Sequence, residues 1–493
     1  MFIKTKYYLI SIVLIFIFSY VSVLYLNKFE KVNFIKNSIG KEKLYAITYY
    51  FFPWKTIESQ KQIIEHQTRV IKRKNRLLEP LYIDALKLEY AFKASKKSVL
   101  VEKSNDVDLL KGLKLKKYKI TEGLYAGINN LYPGSGYIDF YGDKFIILSS
   151  RGIILISDEF GNKTIFKQID NNLNNFANFN NFKKKEWFSF KDIKIIRENI
   201  FISYTEEIKP NCWNTSVVFG KMNVQKIEFK KLFSAKELLN TKTCTHSLQE
   251  IGDKFTPDNV DREFNAHQSG GRIVEYNENH ILLTVGDYRN RERAQMKDTF
   301  NGKIFKINIT NSDYEIVSLG HRNPQGLYFD RENNYLVQTE HGPQHADEIN
   351  LIDLNKFNNN EELNYGWPIS SYGIHWDGGL IDGKFLVTEE GTKIKYKKYP
   401  LYKSHKEHGF IEPLKQYTPS IGISEIVRVG KKKYVHSSLK DRSLYFFDLN
   451  EENNVINLER VEVFERIRDL IIKDNKLYLL LEDTASIGII DLN

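Results

Sequence analysis

The chain has 493 residues, 42% of them apolar and 13% aromatic, with a formal net charge of +10 at neutral pH. Such a chain is long enough for two or three domains or for one large domain with additions, it can bury a large core, and its wealth of Tyr and Phe suits β-structure. The positive excess does not describe a nucleic-acid binder: the runs Lys183-Lys184-Lys185 and Lys431-Lys432-Lys433 are short, lie beside predicted strands and accompany no nucleic-acid motif.

In chain order the first feature is an uncharged run from Tyr7 to Leu26, preceded by Lys4 and Lys6. At about 1.5 Å rise per residue it is long enough for a bilayer core of about 30 Å. No small-x-small cleavage site follows, so residues 1–30 are expected to form an uncleaved, single-pass inner-membrane anchor, with the rest of the chain on the periplasmic side. Residues 31–120 are expected to form a helical stalk or linker. Within it Ile57, Ile64, Ile71 and Leu78 recur on one stripe, Pro80 ends that helix, and a second helical stretch runs from Tyr82 to Ala94. Cys212 and Cys244 are the only two cysteines, and an oxidising compartment would allow them to pair.

From about Leu124 the pattern becomes short apolar strands separated by polar turns. Six hairpin-like units recur. They begin at Tyr137-Ile138, Ile193-Lys194, Ile273-Val274, Leu327-Tyr328, Ile426-Val427 and Leu470-Ile471, and several add a third strand. Unevenly spaced repeats of this kind predict an all-β, six-bladed β-propeller over residues 121–493. A pair of β-sandwiches would not explain similar units continuing to the C-terminus.

Polar residues cluster just ahead of the first strand of several units: His267-Gln268-Ser269-Gly270-Gly271-Arg272, His321-Arg322-Asn323-Pro324-Gln325-Gly326 and Arg466-Ile467-Arg468-Asp469. First strands line a propeller's channel, so His267, Arg322, Asn323, Arg466 and Arg468 are expected to converge at one mouth. Converging arginines repel one another unless an anion is present, and Arg suits carboxylate or phosphate. A His beside them has its pKa lowered and can serve as a base. Asp347 and Glu348, shortly after Gly342-Pro343, offer hard oxygens of the kind calcium takes. His341 and His345 are separated by Gly342 and Pro343, which argues against a helical pair of transition-metal ligands.

These motifs, with Val285-Gly286-Asp287, Asp347-Glu348-Ile349-Asn350, Asn364-Tyr365-Gly366-Trp367-Pro368 and Ser438-Leu439-Lys440, resemble the glucose/sorbosone dehydrogenase family, the soluble quinoprotein sugar dehydrogenases. The resemblance runs from about Asn265 to the C-terminus, more weakly back to Leu124, and implies a six-bladed propeller. It also implies pyrroloquinoline quinone (PQQ) and Ca2+ as cofactors. His267 would be the base at the anomeric hydroxyl, and Arg322 and Asn323 the groups beside the reacting quinone carbonyl. Lys440, Arg466 and Arg468 would meet the cofactor carboxylates, with Tyr417 as an aromatic platform. Gly342 and Pro343 would offer carbonyls to one calcium ion, and Glu348 and the Tyr365 carbonyl would hold a second. Gly134 stands where the family has a Gln, and Ala266 where some members have an Asp.

The function implied is aldose oxidation at the anomeric carbon by a membrane-anchored periplasmic enzyme, passing electrons to a membrane or soluble acceptor. The alternative is a catalytically inactive propeller that binds a carbohydrate or a protein. The insertion from about Ile374 to Lys415 is expected to shape the choice of sugar.

Overall fold

The computed structural model describes residues 94–124, 133–177, 189–209, 212–235, 268–288, 290–374, 380–381, 384–387, 393–394 and 399–492, and all of these lie in the second of two compact units, Ile83–Asn493. The predicted anchor at Tyr7–Leu26, the predicted helix with the stripe Ile57, Ile64, Ile71 and Leu78, the predicted second helical stretch up to residue 93, His267, Ala266, Cys244 and the Cys212 side chain lie outside what is described. Among the described residues no helix is long and apolar enough to cross a membrane.

The described chain is an all-β, propeller-like fold. Each unit seen in the sequence becomes an antiparallel meander. The first runs through Gly136–Tyr141, Lys144–Ser149, Ile154–Ser157 and Lys163–Asn171. The later ones start at Phe190–Ile196, Gly270–Asn277, Pro324–Asp330, Ile423–Gly430 and Ile467–Lys473. The local chemistry is that of hairpins. Gly142-Asp143 and Asp474-Asn475 each form a two-residue turn, with positive φ at Gly142 (57°), Asp474 (48°) and Asn475 (56°). Gly, Asn and Asp tolerate that conformation best, and its twist matches the strands. Facing side chains such as Leu477, Leu479, Leu480, Ile487 and Ile490 are fully buried, each contributing about 1.5–3 kcal/mol.

The first strands of the units touch one another in ring order: Gly136–Tyr141, Phe190–Ile196, Gly270–Asn277, Pro324–Asp330, Ile423–Gly430, Ile467–Lys473, and back to Gly136–Tyr141. A polar bond secures each neighbour. Ile195 N donates to Asp139 Oδ2 (2.7 Å) and Ile273 N to Asp192 Oδ2 (2.7 Å). Arg272 Nε donates to Gln325 O (2.6 Å), and Leu327 N to Glu425 Oε1 (3.1 Å). Ser424 Oγ donates to Arg468 O (2.7 Å), and Ile138 N to Asp469 Oδ2 (2.8 Å).

The β-structure begins earlier than the expected boundary at 121. Lys114–Ile120 pairs with the last strand, Ser486–Asp491, and Ser98–Lys103 pairs with both Lys114–Ile120 and Lys163–Asn171. The first and last units thereby join in one sheet of eleven strands among the described residues. The alternation that marks these two strands, with Val99, Val101, Leu115, Tyr118 and Ile120 buried, is partly hidden by lysines on the outer face.

Candidate active site

The mouth of the channel is built where the inner strands begin, and β-bulges shape it. Register shifts fall at Phe190/Asp192, Gly270/Ile273, Pro324/Gly326, Ile423/Ile426 and Ile467/Asp469. A bulge turns an extra side chain away from the regular alternation. It places Lys191, Gln325 and Arg468 at matching positions on three different units.

Beneath them lies a buried plug. Arg272 meets Asp469 at 2.7 Å, Glu425 at 2.8 Å and Asp192 at 3.2 Å, and its Nη2 donates to Arg468 O at 3.2 Å. One guanidinium cannot neutralise three carboxylates. Burial pushes Asp192 up to about 7 and Glu425 up to about 8, against the opposing pull of Arg272.

Above the plug, Glu482 is fully buried and accepts from Arg466 Nε (2.9 Å) and Arg468 Nε (2.8 Å), and also from Ser135. Burial alone would raise its pKa, but the Arg468 and Arg466 guanidiniums hold it below the ordinary value. Arg466 Nη1 reaches Leu439 O at 3.4 Å, next to the exposed Lys440. Arg468 Nη1 donates to Gln325 Oε1 (3.4 Å), whose Nε2 donates to Asn323 Oδ1 (3.0 Å). The chain of contacts then continues to His341, whose Nδ1 lies 3.4 Å from Asn323 Nδ2 and whose Nε2 lies 2.6 Å from Ile423 O. With Nε2–H donating to that carbonyl, Nδ1 is left as the acceptor. Burial, then Arg468 and Arg322, lowers the His341 pKa and favours this neutral ring, although Asp347 opposes them.

Arg322 closes the circuit. Its Nη1 donates to His341 O (3.0 Å) and Gly342 O (2.5 Å), and its guanidinium lies 5.4 Å from the Trp367 ring centroid. Trp367 Nε1 is fixed by Asp287 Oδ2 at 2.8 Å, and Asp287 N donates to Arg322 O at 2.8 Å. Arg322, Asn323, Arg466 and Arg468 therefore share one continuous network with His341, Gln325 and Glu482, and Lys440 borders it.

Several candidate residues stand elsewhere or in other roles. Tyr417 is buried, with its hydroxyl 2.7 Å from His436 Nε2 and its ring against Tyr445. The Pro343 carbonyl accepts from Ala346 N at 3.2 Å. Glu348 is buried with Oε1 lacking a hydrogen-bond partner, and the Tyr365 carbonyl already meets His405 Nδ1 at 3.1 Å. The expected pairing of Glu348 and Tyr365 around an ion thus meets an imidazole instead. Gly134 is a seam residue: its N donates to Glu482 O at 3.0 Å, and a Cβ there would overlap the Leu481 carbonyl and lie 2.7 Å from Ala485 Cα. A Gln side chain has no room at that point.

Sequence reasoning missed Lys191 and Arg151. Burial, then Arg468 and Arg151, pushes the Lys191 ammonium down to about 7. The signal that could have found Lys191 is its phase, one residue ahead of Asp192 as Arg468 is of Asp469.

A glucose/sorbosone dehydrogenase family model matches residues 197–490. The chain belongs to the glucose/sorbosone dehydrogenase family. The chain is 27% identical over 220 residues to the aldose sugar dehydrogenase YliI of Escherichia coli K12, covering 41% of the chain and 51% of that protein. It is 35% identical over 132 residues to quinoprotein glucose dehydrogenase B of Acinetobacter calcoaceticus, covering 21% of the chain and 26% of that protein. The chain spans about half the length of the first of the curated relatives it matches. Among solved structures, the apo form of the soluble E. coli aldose sugar dehydrogenase superposes with a TM-score of 0.51 at 20% identity, covering 73% of this chain and 96% of that one. At that identity the likeness speaks for the fold.

Proposed function

We propose that the chain is a quinoprotein aldose dehydrogenase: a six-bladed propeller that binds PQQ at the channel mouth and oxidises a sugar at its anomeric carbon. The observation that carries the reading is the cluster of Arg466 and Arg468 on Glu482, with Lys191 of another inner strand acting on Arg468 and Arg322 of a third joined to Arg468 through His341, Asn323 and Gln325. The ring of six inner strands supports the blade count. A cationic mouth of this kind fits a planar tricarboxylate, because arginine pairs with carboxylates through two parallel donors.

Arg466, Arg468 and Lys440 would hold the cofactor carboxylates. When bound, PQQ would supply the two-electron acceptor chemistry that amino-acid side chains lack. Arg322 and Asn323 would donate hydrogen bonds where negative charge develops, which is the largest contribution such groups make. His267, on the segment leading into Gly270–Asn277, would take the proton from the anomeric hydroxyl.

Calcium does not fit the donor sets as they stand. The Gly342 carbonyl holds Arg322, a cation itself, and the Tyr365 carbonyl holds His405. No step is therefore assigned to calcium. The reading also includes an inner-membrane anchor at Tyr7–Leu26 with the propeller on the periplasmic side, and electron transfer to a membrane or soluble acceptor. Fractionation of cells with alkaline carbonate washing tests the anchor.

The experiment for the activity is reconstitution of the full chain with PQQ, followed by dye reduction with a panel of aldoses. Turnover of at least one aldose is expected. PQQ binding without turnover of any sugar would favour the alternative, a propeller that only binds, and absence of PQQ binding at micromolar concentration would overturn the quinoprotein reading.

A further inference from the structure

Glu348 and His405 are both almost completely buried, and Glu348 Oε1 and His405 Nε2 are both without a hydrogen-bond partner. The two atoms face each other 3.9 Å apart. The opposite ring nitrogen, Nδ1, bonds the Tyr365 carbonyl at 3.1 Å. The imidazole therefore stands between the two oxygens that would have to share an ion. We propose that His405 takes the place of a bound cation here, clamping the 399–412 segment onto the sheet so that this chain holds no calcium ion between Glu348 and Tyr365.

The ring also meets the Ile411 backbone, and Glu348 accepts from the Tyr372 backbone and lies near the Lys403 ammonium. Tyr372 stacks on the ring, with centroids 5.6 Å apart and planes 13° apart. Glu412 Oε2 accepts from His405 N (2.9 Å) and Lys406 N (3.0 Å), while Tyr372 donates to the other Glu412 oxygen. On the far side, Glu348 lies on strand Asp347–Asp353 directly opposite Glu340, which accepts from His321 Nδ1 at 3.1 Å. Calcium needs six to eight oxygen ligands at about 2.3–2.6 Å. An ion touching both the Tyr365 carbonyl and Glu348 would have to occupy the space the ring fills, and an imidazole nitrogen is a poor substitute for a hard oxygen ligand.

The test uses the full chain freed of metal by chelation. Calcium titration calorimetry is run on wild type and on Glu348→Gln, which keeps the shape of the side chain. The two are expected to bind the same number of calcium ions, and added calcium is expected to shift both melting temperatures equally. A variant that binds one ion fewer, or that loses a calcium-dependent rise seen in wild type, would overturn the proposal. His405→Ala is expected to melt about 4 °C lower in chelator and in calcium alike. An unchanged melting temperature would contradict the clamp. Should that variant not fold, the Glu348→Gln comparison still decides.

Discussion

Glu482 lies between Arg466 and Arg468, and neutralising it leaves the two guanidiniums without the carboxylate they share. Breaking such a buried pair from one side costs about 3–5 kcal/mol. Glu482→Gln is therefore expected to lower stability by about that much in urea melts. The pH sign follows from its depressed pKa. Its contribution is fully present above the unfolded value of about 4.3 and is lost as pH falls through the lower folded value. The variant's stability curve should be flatter than wild type on that acid limb. Lys191 offers a second pH test. Its ammonium is held at about 7, and an anion in the mouth favours the charged form. Affinity for an anionic cofactor should fall as pH rises from about 6 to 9, and Lys191→Met should lose that dependence while remaining folded. A variant with the same pH slope as wild type would remove Lys191 from the mouth.

At the scale of elements, the inner strands carry both the site and the bonds that hold the ring. Arg272 touches carboxylates of the second, fifth and sixth inner strands. Arg272→Met is expected to cost about 3–5 kcal/mol. Asp192 and Glu425 have folded values raised to about 7 and about 8, above their unfolded ones. The folded state then binds more protons, so this cluster's contribution falls as pH rises from about 4 to 8. In Arg272→Met that fall should steepen, which chemical denaturation across pH would read. These strands were legible in the sequence because each pairs apolar alternation with a turn signal. Arg322, Asn323, Arg466 and Arg468 were legible because they share a phase ahead of those strands. The role of Gly134 was not: what it must avoid is the turn at Leu481–Ala485, far away in sequence. The environment of Tyr417 was hidden likewise, since its partner His436 sits on another unit. His405 escaped notice because it lies in an insertion with no repeat to set its phase.

For the whole molecule, closure comes from the segment expected to be stalk. Lys114–Ile120 completes the last unit and Ser98–Lys103 ties it to the first. Lysines on the outer face masked these strands in the sequence. A chain starting at Leu124 lacks both, leaving an open strand edge of the kind that drives aggregation. It is expected to elute as aggregate on size exclusion, while a chain starting at Ile83 stays soluble and melts cooperatively. Equal behaviour of the two would contradict the role given to these strands.

The ring brings Arg322, Asn323, Arg466 and Arg468, far apart in sequence, into one hydrogen-bonded network. The most direct test is equilibrium titration of the full chain with PQQ, following fluorescence quenching, in wild type, Lys440→Ala and Arg466→Gln/Arg468→Gln, with folding checked by circular dichroism. Binding at micromolar or tighter concentration is predicted for wild type, about tenfold weaker binding for the exposed Lys440→Ala, and at least a hundredfold loss for the double variant, in line with about 1.4 kcal/mol per decade for each charged contact removed. PQQ affinity equal in all three proteins, or absent in wild type, would contradict the account.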